Sequence, residues 1–138
     1  MKKSIFFTIL LSVGLFMGSI SHGFASDWTL NKSTGNVDFY YKIGECNGQD
    51  AIFLKIVNKN NYGVKVTWTD VVNDNVSGMN VEARYGLKEH IVAPGASLQS
   101  DCSEAESSDL IVLAIKIIPT HKADITSFEF KNIKVITN

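Results

Sequence analysis

The chain is poor in the residues that most chemistry requires. It has two cysteines, two prolines and three histidines in 138 residues, and a single arginine, Arg84. Without clustered Lys and Arg there is no phosphate-binding stripe, so nucleic acid is excluded as a partner and anionic lipid is disfavoured. Neither Cys46 nor Cys102 has a CxxC neighbour or a histidine at ligand spacing, which removes the zinc-site reading. Ser97, in Gly95-Ala96-Ser97-Leu98-Gln99, lacks the second glycine of a nucleophile elbow. His90 and His121 stand alone in their segments and read as surface histidines, so no acid, base or nucleophile set is apparent. The expectation is a chain without enzymatic activity and without a cofactor.

Long apolar runs are also missing, with one exception at the start. Lys2 and Lys3 precede an apolar stretch from Ile5 to Ile20, and Gly23-Phe24-Ala25 closes it with small residues, the pattern of a cleaved export signal. At sixteen residues, with Gly14 and Gly18 inside, it is short for a span of about 20 residues, and direct membrane insertion is not expected. The predicted working chain is 26–138, a size that suits one domain with one core. Removing two lysines takes the formal charge from −1 to about −3. No cysteine follows the cleavage point, which leaves no lipoprotein anchor, so the expected location is the periplasm, the outer-membrane surface or the medium. In that oxidising setting Cys46 and Cys102 are predicted to form a disulfide, worth on the order of 4 kcal/mol in the chain-entropy picture. The lysine-rich composition looks bacterial, so the sequons at Asn31-Lys32-Ser33 and Asn75-Val76-Ser77 are read as chance matches.

What is abundant is period-two patterning. Val37, Phe39, Tyr41 and Ile43 alternate with polar neighbours, the mark of a strand with one covered face. Residues 51–57 read as a central strand, and 64–72, with Val64, Val66 and Trp68 in phase, as its hairpin partner across Asn58-Lys59-Asn60-Asn61-Tyr62-Gly63. Residues 79–85 and 89–92 are predicted edge strands, and 96–102 a short strand after the Pro94-Gly95 turn. Residues 110–118 are apolar on both faces and β-branched, which favours a strand and leaves a second apolar face to be covered by a loop or a partner. A loop is expected over 120–126. In the last strand Phe128 and Phe130 are out of phase with Ile133 and Val135, which a bulge near Lys131-Asn132 would reconcile. Seven to nine short strands separated by turns predict an all-β, antiparallel two-sheet sandwich.

The run from Ile52 to Trp68, with its apolar strand ending in Asn58, and the later Ala93-Pro94-Gly95-Ala96-Ser97 turn resemble immunoglobulin-like or fibronectin-like accessory domains of small exported proteins of the Bacteroidota type. The resemblance spans about half of the chain after the leader and concerns the fold. It implies an immunoglobulin-like sandwich and an accessory role, and brings no catalytic residues. One departure is plain: the cysteines lie outside the core strands, so their bridge would pin loops at the sandwich edge.

Three kinds of binding device remain. Exposed aromatics anchor partners or stack on sugars; Trp68 is in phase with the core, which leaves Trp28, Tyr40 and Tyr62 as candidate binding residues. The acidic stretch Asp101, Glu104, Glu106 and Asp109 could offer oxygens to calcium, as could Asp70, Asn73, Asp74 and Asn75, although neither has the spacing of a calcium loop. Open sheet edges can accept a partner's strand. The expected function is therefore protein–protein contact, as an accessory subunit of a cell-envelope or outer-membrane complex. The alternatives are a carbohydrate-binding module, with or without calcium, and a small enzyme inhibitor.

Overall fold

The structure is a computed structural model of the chain and describes residues 27–74, 81–82, 86–105, 107–117 and 125–138. The expected leader, residues 1–25, lies outside them. Among the described residues nine strands form two antiparallel sheets. The first sheet has the order β1 (Thr29–Thr34), β2 (Val37–Cys46), β3 (Gln49–Asn58), β7 (Ser97–Gln99), with β8 (Ile111–Leu113) also on β3. In the second, β4 (Val64–Asp74) is central, with β5 (Val81–Glu82) and β6 (Lys88–Val92) as pairing partners and β9 (Ile125–Thr137) as a third.

Two hairpins set the first sheet. Gly35 and Asn36 at one turn, and Asn47 and Gly48 at the other, all have positive φ, the backbone that two-residue hairpin turns demand and that Asn and Gly supply most readily. Gly35 has a second reason: a Cβ there would meet Val135 at 3.2 Å. The expected hairpin between residues 51–58 and 64–72 does not form. Strand β3 pairs with β2 through ten positions, Val37↔Asn58 to Cys46↔Gln49, and the 58–63 connection instead carries the chain into the second sheet. Its physical basis is Asn58, which is fully buried. The Asn58 Nδ2 donates to the carbonyls of Tyr62, Val92 and Ala93 at 2.9, 3.2 and 3.0 Å, and its Oδ1 accepts from Asn60 N and Nδ2. From the end of β3 the buried amide satisfies carbonyls of the 58–63 connection and of the end of β6, and so ties the first sheet to the second at the pole of the sandwich.

The inward faces interdigitate as the alternation requires: Val37, Phe39, Ile52, Leu54 and Ile56 meet Val64, Val66, Trp68, Val72, Phe128 and Phe130. Trp68 is fully buried, as its phase predicted. Phe130 lies edge-on to Phe39 and Phe128 with ring centres 5.3 and 4.9 Å apart, the favourable aromatic geometry. The bulge in the last strand is where the phase change placed it: the pairing shifts between Thr67↔Lys134 and Thr69↔Lys131, and Asn132 has positive φ. It lets Phe128 and Phe130, and then Ile133 and Val135, all turn toward the core.

A second bulge, in β1 at Asn31, was not foreseen. It turns the Asn31 amide toward the other sheet, where Nδ2 donates to Phe128 O at 3.4 Å and Oδ1 accepts from Phe130 N at 3.0 Å. One side chain thus satisfies the donor and acceptor that the edge of β9 would otherwise leave open. Asn31 is also the asparagine of the first sequon, and its amide is engaged in holding the sheets together.

The apolar segment 110–118 departs from its predicted form. Only Ile111–Leu113 is strand, and Ala114–Ile117 turns into a single helical turn, α1. Over Ile111–Leu113 the second apolar face is covered by the chain itself, whereas Ile115 in α1 is 49% exposed. Ile111 and Leu113 join Ala51 and Phe53 on the outer side of the first sheet, and Cys46 and Ala105 close over them, with Trp28 and Cys102 alongside. The cysteines are bonded, Cys46 at the end of β2 and Cys102 in a short 3-10 turn. The bridge therefore clamps a cover onto a second, smaller core, where the sequence suggested an edge pin.

Candidate functional site

Two of the predicted binding aromatics, Trp28 and Tyr40, lie beside the same lysine on the outer face of the first sheet, and Tyr62 lies apart from them. Tyr40 stands on the outer face of β2 and is half-buried, its hydroxyl donating to Asp38 Oδ2 at 3.1 Å. The same carboxylate receives Ser33 Oγ at 2.6 Å and the Lys59 ammonium at 2.9 Å. Burial pushes the Asp38 carboxyl up, but these three donors together outweigh it and hold its pKa below the ordinary value; burial and the Asp38 charge push the Tyr40 phenol up. Trp28, half-buried against the second core, shares two lysines with its neighbours. Lys42 lies 5.5 Å from the Trp28 ring centre and 5.2 Å from that of Phe53, while Lys55 lies 5.6 Å from Trp28 and 5.9 Å from Tyr40. The β2–β3 register explains this, since Lys42↔Phe53 and Tyr40↔Lys55 are direct pairs on one face. Tyr62, 45% exposed, is on the β3–β4 connection and joins neither.

The acidic residues are spread rather than convergent. Asp101 caps the 3-10 turn, its Oδ1 accepting from Ser103 N and Oγ at 2.9 and 2.5 Å, which keeps its carboxyl below the usual range. Asp109 turns toward His90, 3.8 Å away, and Glu106 lies outside the described residues. Among the described residues no three His, Cys, Asp or Glu side chains are placed to share a metal ion. The second polar group is corrected outright in one member: Asp70 faces the interior. Asn73 donates to Ser127 Oγ at 2.6 Å, and Asn75 and His121 lie outside the described residues.

The most unusual arrangement is one that the sequence reading missed. Trp68 and Asp70 are two residues apart on β4 and so share its inward face. Lys88 pairs with Trp68 across the ladder and His90 with Val66, which turns both inward from edge strand β6. Asp70 Oδ2 is held by the Lys88 ammonium at 2.5 Å, with side-chain exposures of 0% and 4%. The other oxygen, Oδ1, accepts from the indole Nε1 of Trp68 at 2.8 Å. Lys88 also donates to the main-chain oxygen of Asp109 at 2.6 Å, which ties the segment before β8 to the second sheet. His90 stacks on Trp68 with ring centres 5.6 Å apart. Burial pushes the Asp70 carboxyl up, opposed by the charge and hydrogen bond of Lys88 and by Trp68. Trp-x-Asp in strand phase was the available signal: when the tryptophan is core, the aspartate beside it on that face must find a buried partner. Sealed in this way, the pair is out of reach of any substrate.

Exposed large apolar side chains include Leu30 on β1, Ile43 on β2, Ile115 in α1, and Ile91 and Ile136 on the outer face of the second sheet. The register sets Ile91, Lys65 and Ile136 side by side across β6, β4 and β9. Ile91 is 61% exposed, Ile136 is 52%, and Leu87 just before β6 is 63%. The Lys65 ammonium meets Glu89 at 2.8 Å in this surface.

The architecture defines a class, a disulfide-bridged antiparallel β-sandwich. No family model matches the chain, and no curated protein matches it. Among solved structures it is similar to the crystal structure of a DUF1425 family member from Shewanella sp. pv-4. The two share 15% identity over 78% of this chain and 87% of that one, with a TM-score of 0.48.

Proposed function

We propose that this chain is a non-enzymatic, exported β-sandwich that works by protein–protein contact, as an accessory subunit of a bacterial cell-envelope or outer-membrane complex. The observation that carries the reading is the pair Ile91 and Ile136, both more than half exposed on either side of Lys65 on the outer face of the second sheet, with exposed Leu87 at the entry to the same edge strand. Single exposed apolar residues are ordinary, but two large ones set on either side of an ion-paired lysine on a sheet face offer a partner apolar anchors next to a polar contact. The alternatives draw less support. A sugar site would use open ring faces, whereas Trp28 and Tyr40 are half-buried beside lysines and Tyr62 stands apart. An inhibitor would present a protruding braced loop, whereas the bridged segment is packed down with Ala105 buried.

The test is native purification from the envelope after gentle detergent extraction, with sizing and mass spectrometry of what travels with the protein. Stoichiometric co-migration with an envelope assembly, lost in an Ile91→Lys, Ile136→Lys variant that still folds, is expected. A lone monomer would overturn the reading and make a glycan screen the next experiment.

A further inference from the structure

A docking role gives no reason to bury a lysine against an aspartate, and the surroundings of that pair are more specific than charge balance requires. Its two carboxylate oxygens are treated differently. Oδ1 is fixed by the Trp68 indole N–H at 2.8 Å, while Oδ2 faces the Lys88 ammonium. The lysine nitrogen is itself aimed, since it also donates to the Asp109 carbonyl at 2.6 Å. We propose that Lys88 and Asp70 become covalently joined, Lys88 Nζ forming an amide with Asp70 Cγ across strands β6 and β4 and one water being lost.

The step balances within the pair. One ammonium proton passes to Oδ2, which frees the nitrogen lone pair to bond to Cγ. Negative charge then grows on Oδ1, where the indole N–H already points, as a donor placed for a tetrahedral intermediate should. A second nitrogen proton follows to Oδ2 as the Cγ–Oδ2 bond breaks, and water leaves. One N–H remains on the new amide, and the Asp109 carbonyl is in place to accept it. No oxidant, reductant or further reactant enters.

The environment favours both the reaction and its product. Burial favours the protonated carboxyl, which is the electrophilic form. Holding the two groups in contact replaces a bimolecular encounter with an intramolecular one. The product removes two charges from a core where each carries a desolvation cost, and substitutes a neutral amide with its polar atoms partnered. The bond would staple β6, the edge strand that carries Ile91, to the central strand of its sheet.

Intact-mass measurement of the purified, folded protein tests this directly. The expected mass is that of the sequence less one water, beyond the hydrogens lost to the disulfide, and it persists after reduction. Proteolysis should yield one branched peptide joining the segments that contain Lys88 and Asp70. Asp70→Asn should reach the same final mass by losing ammonia, and Lys88→Met should keep its full sequence mass. Full sequence mass in the wild-type protein overturns the proposal, as does a water loss that the digest places elsewhere. Because the wild-type mass and digest decide, the outcome does not depend on whether Lys88→Met folds, nor on whether a partner exists.

Discussion

Replacing both cysteines, Cys46→Ala with Cys102→Ala, should separate the two things the bridge does. It closes a loop with a sequence separation of 56, which in the chain-entropy account restricts the unfolded state by about 4 kcal/mol. For a domain of this size that corresponds to a fall in melting temperature on the order of 15 °C. The native-state consequence is local. Ala105 and the Cys102 turn pack with Ala51, Phe53, Ile111 and Leu113 in the smaller core and are expected to loosen without the bridge, whereas the main core of Phe39, Trp68 and Phe130 lies on the far side of the first sheet. Denaturant unfolding should therefore show the global loss, and amide exchange should show residues 102–113 opening well below the global unfolding free energy while β2, β3 and β4 stay protected. A loss under about 1 kcal/mol, against the several that such a bridge usually contributes, or exchange in 102–113 unchanged from the bridged protein, would refute the clamped-cover account.

Asn58→Ala leaves the carbonyls of Tyr62, Val92 and Ala93 without their buried donor, and should cost about 3 kcal/mol in urea unfolding. Asn31→Ala uncovers the edge of β9 at Phe128 and Phe130; a loss of about 1 kcal/mol is expected, with a greater tendency to aggregate visible by light scattering. Asp38 supplies an acid-range prediction. Its folded pKa lies below 3.8, so its contribution is complete above that value and is lost as pH falls through the folded pKa. Asp38→Asn should flatten that part of the stability–pH curve, and an unchanged acid limb would count against the Ser33–Lys59–Tyr40 arrangement.

Local chemistry was enough for much of this molecule. Alternation of apolar and polar residues marked β2, β3, β4 and the core position of Trp68, because a strand's side chains must alternate whatever the sheet around it. The phase break between Phe130 and Ile133 located a bulge, since only an extra residue can bring both halves of one strand to the same core. The even cysteine pair announced the disulfide.

What failed did so for tertiary reasons. An Asn- and Gly-rich connection after residue 57 is compatible with a hairpin or with a crossing between sheets, and it was the burial of Asn58 among carbonyls of that connection and of the end of β6 that decided. Residues 111–113 are apolar on two faces, and only the folded chain shows the second face covered by a segment bonded to Cys46 across a sequence separation of 56. The Asn31 latch and the Asp70–Lys88 pair join residues with nothing in their neighbouring sequence to connect them. The alternation of side chains is a property of the strand and can be read along it, whereas the partner of a buried polar group is fixed by which strands come to lie together.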